Sequence, residues 1–120
     1  MWQGLYIHPT VFAEPSSNAT VYKEEIFGPV SVVKKFETEE EVLNLANNSE
    51  FGLMAGVFTT DLGLAFRVAG GLEAGTVCLN SMSLVNPQTP FGGAKQSGYG
   101  SEGGRESVLC WTQTKTILMA

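Results

Sequence analysis

The chain is poor in the residues that usually carry metal and redox chemistry. Its 120 residues include two cysteines, Cys78 and Cys110, and one histidine, His8. The cysteines show neither a metal-knuckle spacing nor a disulfide framework, so reduced thiols in the cytosol or an organellar matrix such as the mitochondrial one are expected. Charge is scarce as well. Charged residues make up 16% of the chain, against roughly 25% in an average soluble domain, a deficit that fits a segment belonging to a larger buried structure. The seven Lys and Arg are scattered singly and the formal net charge is -5, which leaves no basic stripe for nucleic acid. No apolar run approaches the ~18 residues of a bilayer span. Met1-Trp2-Gln3-Gly4 lacks the regions of a secretion signal, so the sequons at Asn18-Ala19-Thr20 and Asn47-Asn48-Ser49 read as chance matches.

What is present is glycine and apolar texture. Glycine accounts for 14 residues and hydrophobic residues for 43%; the length suits one core and not two. Leu5-Tyr6-Ile7 and Thr10-Val11-Phe12 read as extended segments broken by Pro9. Val30 to Phe36, rich in β-branched residues, reads as a strand. Thr38 with Glu41 forms a capping box that opens a helix through Ala46, closed by Asn47-Asn48 and Gly52. Ala55 to Thr59 is a second strand. Asp61 caps a second helix, with Leu62, Ala65, Phe66 and Ala69 on one face and Gly70-Gly71 as its stop. Gly75 to Asn80 is a third strand. Short apolar strands alternating with amphipathic helices predict an α/β fold with a small parallel βαβαβ sheet and flanking helices. After Asn80 a long Gly/Pro-rich loop carries two of the five prolines and six of the fourteen glycines, a length that points to function. A short helix over 102–111 and a final edge strand, Lys115-Thr116-Ile117-Leu118, complete the reading.

Four features could bear chemistry. In Glu24-Glu25-Ile26-Phe27 a carboxylate beside a strand entry can accept from ribose hydroxyls and an aromatic can pack on a nicotinamide ring; the alternative is a solvated acidic turn with a core phenylalanine. Asn80 ends a strand at the edge where open parallel sheets place ligands, and Phe91 is either a contact residue or a packing anchor under the glycine loop. Gly98-Tyr99-Gly100-Ser101-Glu102-Gly103 matches G-x-G-x-x-G, but it follows a loop where the dinucleotide fingerprint follows a strand. Cys78 lies in an apolar strand, where a cysteine is a small buried hydrophobe; Cys110 has no better credentials as a nucleophile, and His8 before Pro9 reads as structural.

Six ordered blocks give these features a context: Gly4 to Phe12, Glu24-Glu25-Ile26-Phe27-Gly28-Pro29, Ala46 to Leu53, Gly56 to Leu62, Gly75 to Val77, and Pro90-Phe91-Gly92-Gly93-Ala94-Lys95-Gln96-Ser97-Gly98. Together they resemble the C-terminal part, roughly the last quarter, of the NAD(P)-dependent aldehyde dehydrogenases. The resemblance implies that residues 1–110 are part of a catalytic domain and 111–120 an oligomerisation strand, pairing through 115–118 in a homo- or hetero-oligomer. It implies cofactor contacts from Glu25 to the nicotinamide ribose and from Phe27 to the ring, with NAD or NADP as the cofactor. It implies an aldehyde substrate lined by Ser83, Val85 and Phe91, and no metal. Where the family commonly has Trp in G-T-V-W-V-N this chain has Cys78, and Ser101-Glu102 stands where the family has Arg-Glu. The family's nucleophile segment, G-Q-x-C, and its general-base segment, E-L-G-G, are not among these residues.

The expected function is therefore that of a fragment of an aldehyde-oxidising enzyme, inactive alone and not expected to bind the cofactor tightly. A non-catalytic module docking on intact dehydrogenase subunits through the terminal strand is the alternative. A freestanding nucleotide-binding domain loses for want of a phosphate loop.

Overall fold

The computed structural model describes residues 4–82 and 85–120. The chain divides into two units, Met1–Glu41 and Val42–Ala120.

The first unit is built on one parallel strand pair. Strand β1 (Thr10–Ala13) lies beside β2 (Val30–Val33), with Thr10 opposite Val30 and Ala13 opposite Val33. Backbone bonds extend the ladder at both ends: Thr10 N–H donates to the Pro29 carbonyl (2.9 Å) and Glu14 N–H to that of Val33 (2.9 Å). Glu14 then turns at φ 48°, and its carboxylate accepts from the Lys35 amide at 2.6 Å, which fixes the exit of both strands. The crossover holds a single helical turn, α1 (Thr20–Lys23), whose Tyr22 ring lies under the Lys34 ammonium at 5.0 Å. The extended segment at 5–7 joins no ladder among the described residues; pairing begins at Thr10. Thr38 caps helix α2 (Glu39–Asn47) as the sequence implies, its hydroxyl accepting from Glu41 N–H at 3.1 Å. The Glu41 carboxylate reaches one residue further out than a reciprocal capping box requires and accepts from Glu37 N–H at 2.8 Å.

The second unit is a βαβ crossover with a glycine-rich loop laid against it. Strand β4 (Met54–Val57) pairs in parallel with β5 (Thr76–Leu79), and α3 (Leu62–Gly71) connects them. A two-residue strand, β3 (Phe51–Gly52), precedes β4 and pairs antiparallel with β6 (Ala94–Lys95). Asp61 is the N-cap of α3, its carboxylate accepting from Leu64 N–H at 3.0 Å. The helix runs through Gly70 and Gly71 and ends where Leu72 N–H bonds the Val68 carbonyl (3.1 Å). Ala65 (1% exposed), Val68 and Cys78 form the buried apolar centre. Leu62 and Phe66, expected on the core face with Ala65, are 65% and 67% exposed. The helix is apolar around most of its circumference, and the face it turns to the sheet is the one whose small residues permit close approach.

The α/β class and its parallel strands are thus observed, arranged among the described residues as two parallel pairs and one short antiparallel pair. The short helix near the end is α4 (Gly104–Leu109). Residues 115–118 form no strand within the chain, and Ile117 and Leu118 are 81% and 91% exposed. An edge strand exists only by pairing, and among the described residues no strand pairs with 115–118.

Candidate functional site

The Glu25–Phe27 turn sits between α1 and β2. Helix α1 ends with Glu24 N–H on the Thr20 carbonyl, and two consecutive three-residue turns follow: Gly28 N–H donates to the Ile26 carbonyl (2.7 Å) and Val30 N–H to that of Gly28 (2.8 Å). These bonds lead directly into the β2 ladder, so the turn is tied to the sheet and does not hang from it. Glu25 is exposed, and Phe27 is 93% exposed. Within this chain the phenylalanine is therefore open to solvent and not part of a core. A free carboxylate and a free aromatic face two residues apart are the groups that a ribose and a planar ring would use. They fit the sugar and ring end of a dinucleotide and offer nothing to its phosphates.

In the second unit, Asn80 governs the start of the long loop. Its backbone lies at φ 53°, its N–H donates to the Val57 carbonyl (2.8 Å), and its side-chain amide clasps Thr59 by both backbone groups, at 2.9 Å and 3.0 Å. The clasp ties the ends of β4 and β5 and aims the chain into the loop. Val85 is 57% exposed on that loop; Ser83, its companion in the substrate assignment, lies outside the described residues. An Asx-type turn at Asn86, with Gln88 N–H on its carboxamide at 2.8 Å, then shapes the approach to Pro90. Phe91 is half-buried and exchanges two backbone hydrogen bonds with Glu102, each 2.7 Å. The phenylalanine is therefore both anchored through its backbone and partly open at its side chain.

The glycines beyond Phe91 are sites of backbone contact. A methyl group on Gly75 would fall within the Gly92 carbonyl oxygen, and one on Gly93 would lie 2.6 Å from the Ser97 carbonyl. The G-x-G-x-x-G run at 98–103 leads into a six-residue helix whose N-cap is Gly103, not into a crossover between parallel strands. It lacks the setting that a dinucleotide fingerprint needs.

Three polar residues that sequence reasoning does not place in the site, Asn47 having been read only as part of a helix stop, hold this segment. The Lys95 ammonium donates to the Asn47 carbonyl (2.6 Å) and the Ser49 carbonyl (3.0 Å) and pairs with the Glu73 carboxylate at 2.8 Å. Asn47 donates from its amide to the Gly71 carbonyl (2.7 Å) and accepts from Glu73 N–H (2.9 Å). Ser97 Oγ accepts from Gly52 N–H at 2.9 Å. Their only sequence signal is membership of the blocks Ala46 to Leu53 and Pro90 to Gly98. Neither thiol is placed for nucleophilic work: Cys78 is 5% exposed inside the β4–β5 ladder, and Cys110 Sγ faces its own helix at the Glu106 carbonyl, 3.7 Å away.

Comparison with known proteins gives this geometry a family. A model of the aldehyde dehydrogenase family matches residues 2–117. A betaine aldehyde dehydrogenase of Cereibacter sphaeroides is 51% identical over 95% of this chain and 24% of its own length. Another, from Agrobacterium fabrum, is 48% identical over 98% and 24%. Among solved structures, HpcC from Thermus thermophilus superposes with a TM-score of 0.87 at 48% identity, over 93% of this chain and 22% of that one. The betaine aldehyde dehydrogenase of Staphylococcus aureus in complex with NAD+ gives a TM-score of 0.83 at 44% identity, over 90% and 22%. The chain thus spans about a quarter of the length of the curated relatives it matches. The likeness in sequence and fold extends over nearly the whole chain, and the chain belongs to the aldehyde dehydrogenase family.

Proposed function

We propose that these residues are the C-terminal, cofactor-contacting portion of an enzyme that oxidises an aldehyde to a carboxylic acid with NAD or NADP. The observation that carries the reading is the Phe27 ring, 93% exposed beside the exposed Glu25 on a turn hydrogen-bonded into β2. Glu25 accepts from the nicotinamide ribose, and Phe27 packs on the ring and keeps water from its face. When bound, the nicotinamide supplies the hydride acceptor. The loop after Asn80 lines the aldehyde's approach with Ser83, Val85 and Phe91.

The attacking thiolate and the group that activates water come from outside these residues, since neither Cys78 nor Cys110 is placed for attack. The 120 residues alone therefore hold NAD(P) weakly and do not turn over. An NAD-linked aldehyde assay on the purified chain tests this, and turnover above background refutes it. The positive arm substitutes the chain for the matching segment of the S. aureus enzyme, where activity returns and Phe27→Ala raises the KM for NAD without changing that for the aldehyde.

A second reading rests on a different observation. Ile117, Leu118 and Met119 are 81%, 91% and 98% exposed at a segment that has no strand neighbour among the described residues. Residues 115–118 then add to a sheet edge of a dehydrogenase subunit, in a homo- or hetero-oligomer, and the chain acts as a non-catalytic docking module. Co-purification with a full-length dehydrogenase, lost on Ile117→Lys, supports this reading; a monodisperse monomer beside that enzyme removes it.

A further inference from the structure

Lys95 occupies a position whose backbone argues against lysine. Its φ is 54°, in the left-handed region that favours glycine, within a segment where glycine is abundant. A side chain kept there is kept for its contacts. The ammonium has three N–H donors, and the structure supplies three acceptors: the Asn47 carbonyl at the end of α2, the Ser49 carbonyl in the following turn, and the Glu73 carboxylate ahead of β5. Glu73 is in turn fixed by its own amide on the Asn47 side chain, and Asn47 by the Gly71 carbonyl at the end of α3. One side chain thus gathers the exits of both helices and binds them to β6. Immediately upstream in the chain, Gly93, Gly92 and Phe91 have no slack. Gly92 abuts Gly75, Gly93 abuts Ser97, and Phe91 is bridged to Glu102.

We propose that Lys95 is a positioning residue for the aldehyde. It sets the Phe91 ring through the Phe91-Gly92-Gly93-Ala94 backbone, and so governs aldehyde affinity while leaving cofactor affinity alone. The inference rests on the reading above that Phe91 contacts the substrate. Losing the ammonium removes the one group that ties the Asn47 and Ser49 carbonyls and the Glu73 carboxylate to β6, and the close backbone contacts of Gly92 and Gly93 pass the resulting shift of Lys95 on to Phe91.

The test uses the S. aureus betaine aldehyde dehydrogenase carrying this chain in place of its matching segment, with betaine aldehyde and NAD varied separately. The variants are Lys95→Met, Phe91→Ala and the double substitution. Lys95→Met is expected to raise the KM for betaine aldehyde roughly tenfold and leave that for NAD within about twofold. The double variant is expected to be no worse than the worse single one, because both changes remove the same ring contact. An aldehyde KM unchanged by Lys95→Met but raised by Phe91→Ala overturns the inference, as do effects that multiply in the double variant. An aldehyde KM unchanged by Phe91→Ala overturns the substrate reading itself, and the inference with it. Should Lys95→Met fail to fold, Glu73→Gln replaces it: a rise of about threefold supports the role, and no rise overturns it.

Discussion

Large apolar side chains lie uncovered in each unit of this chain, and the consequence is measurable. Val11, Phe12 and Val33 on the first strand pair are 65%, 43% and 50% exposed, and Phe58, Leu62 and Phe66 in the second unit are 64%, 65% and 67% exposed. Fully burying a side chain of this kind contributes about 1.5–3 kcal/mol, so these six leave on the order of 5–10 kcal/mol unrealised, comparable to the ~5–15 kcal/mol net stability of a whole domain.

The isolated chain is therefore expected to lack a cooperative unfolding transition. Circular dichroism against urea should decline gradually, and an environment-sensitive apolar dye should bind before any urea is added. The same residues inside the S. aureus enzyme should unfold with the whole subunit and bind no dye. A sharp transition in a chain that light scattering shows to be monomeric, with a slope of about 1–3 kcal/mol/M, refutes the reasoning. It would mean that the small buried cluster around Ala65, Val68 and Cys78 suffices.

Within the intact enzyme, smaller changes have defined expectations. Gly75→Ala sets a methyl against the Gly92 carbonyl, backbone against backbone, and should cost about 3 kcal/mol, read as a lowered urea midpoint. Gly70→Ala is its counterpart: it is helical and no atom of this chain lies within 4 Å of the new methyl, so in this chain it should raise the helical content read by circular dichroism, by a gain of roughly 0.5–1 kcal/mol. Asp61→Ala removes the cap on Leu64 N–H and should cost about 1 kcal/mol, seen as roughly fivefold faster amide exchange in the first turn of α3. Asn80→Ala loses both bonds to Thr59 and a residue type tolerant of φ 53°. It should cost about 2–3 kcal/mol and speed exchange at Thr59 most.

What the sequence made legible is local. Thr38 before three glutamates and Asp61 before an apolar helix each state their own cap, and both caps form. Val30 to Val33 and Thr76 to Leu79 state their strand character by β-branching, and both lie in parallel ladders. The latch around Lys95 is illegible for the opposite reason. Its bonds join residues 48 and 46 positions apart, and no propensity or period encodes such a pairing in a single chain. Strands β3 and β6 are illegible likewise, since two residues each carry no alternation and exist only through one another. The same distinction explains Leu62 and Phe66. Their spacing marks them as an interior face, yet within this chain the interior is on the other side of the helix. Periodicity reports that a face is buried, not by what. A helix apolar around most of its girth, with a small-residue face on its own sheet and a large-residue face in solvent, is a helix built to be covered twice. Among the described residues nothing supplies the second cover.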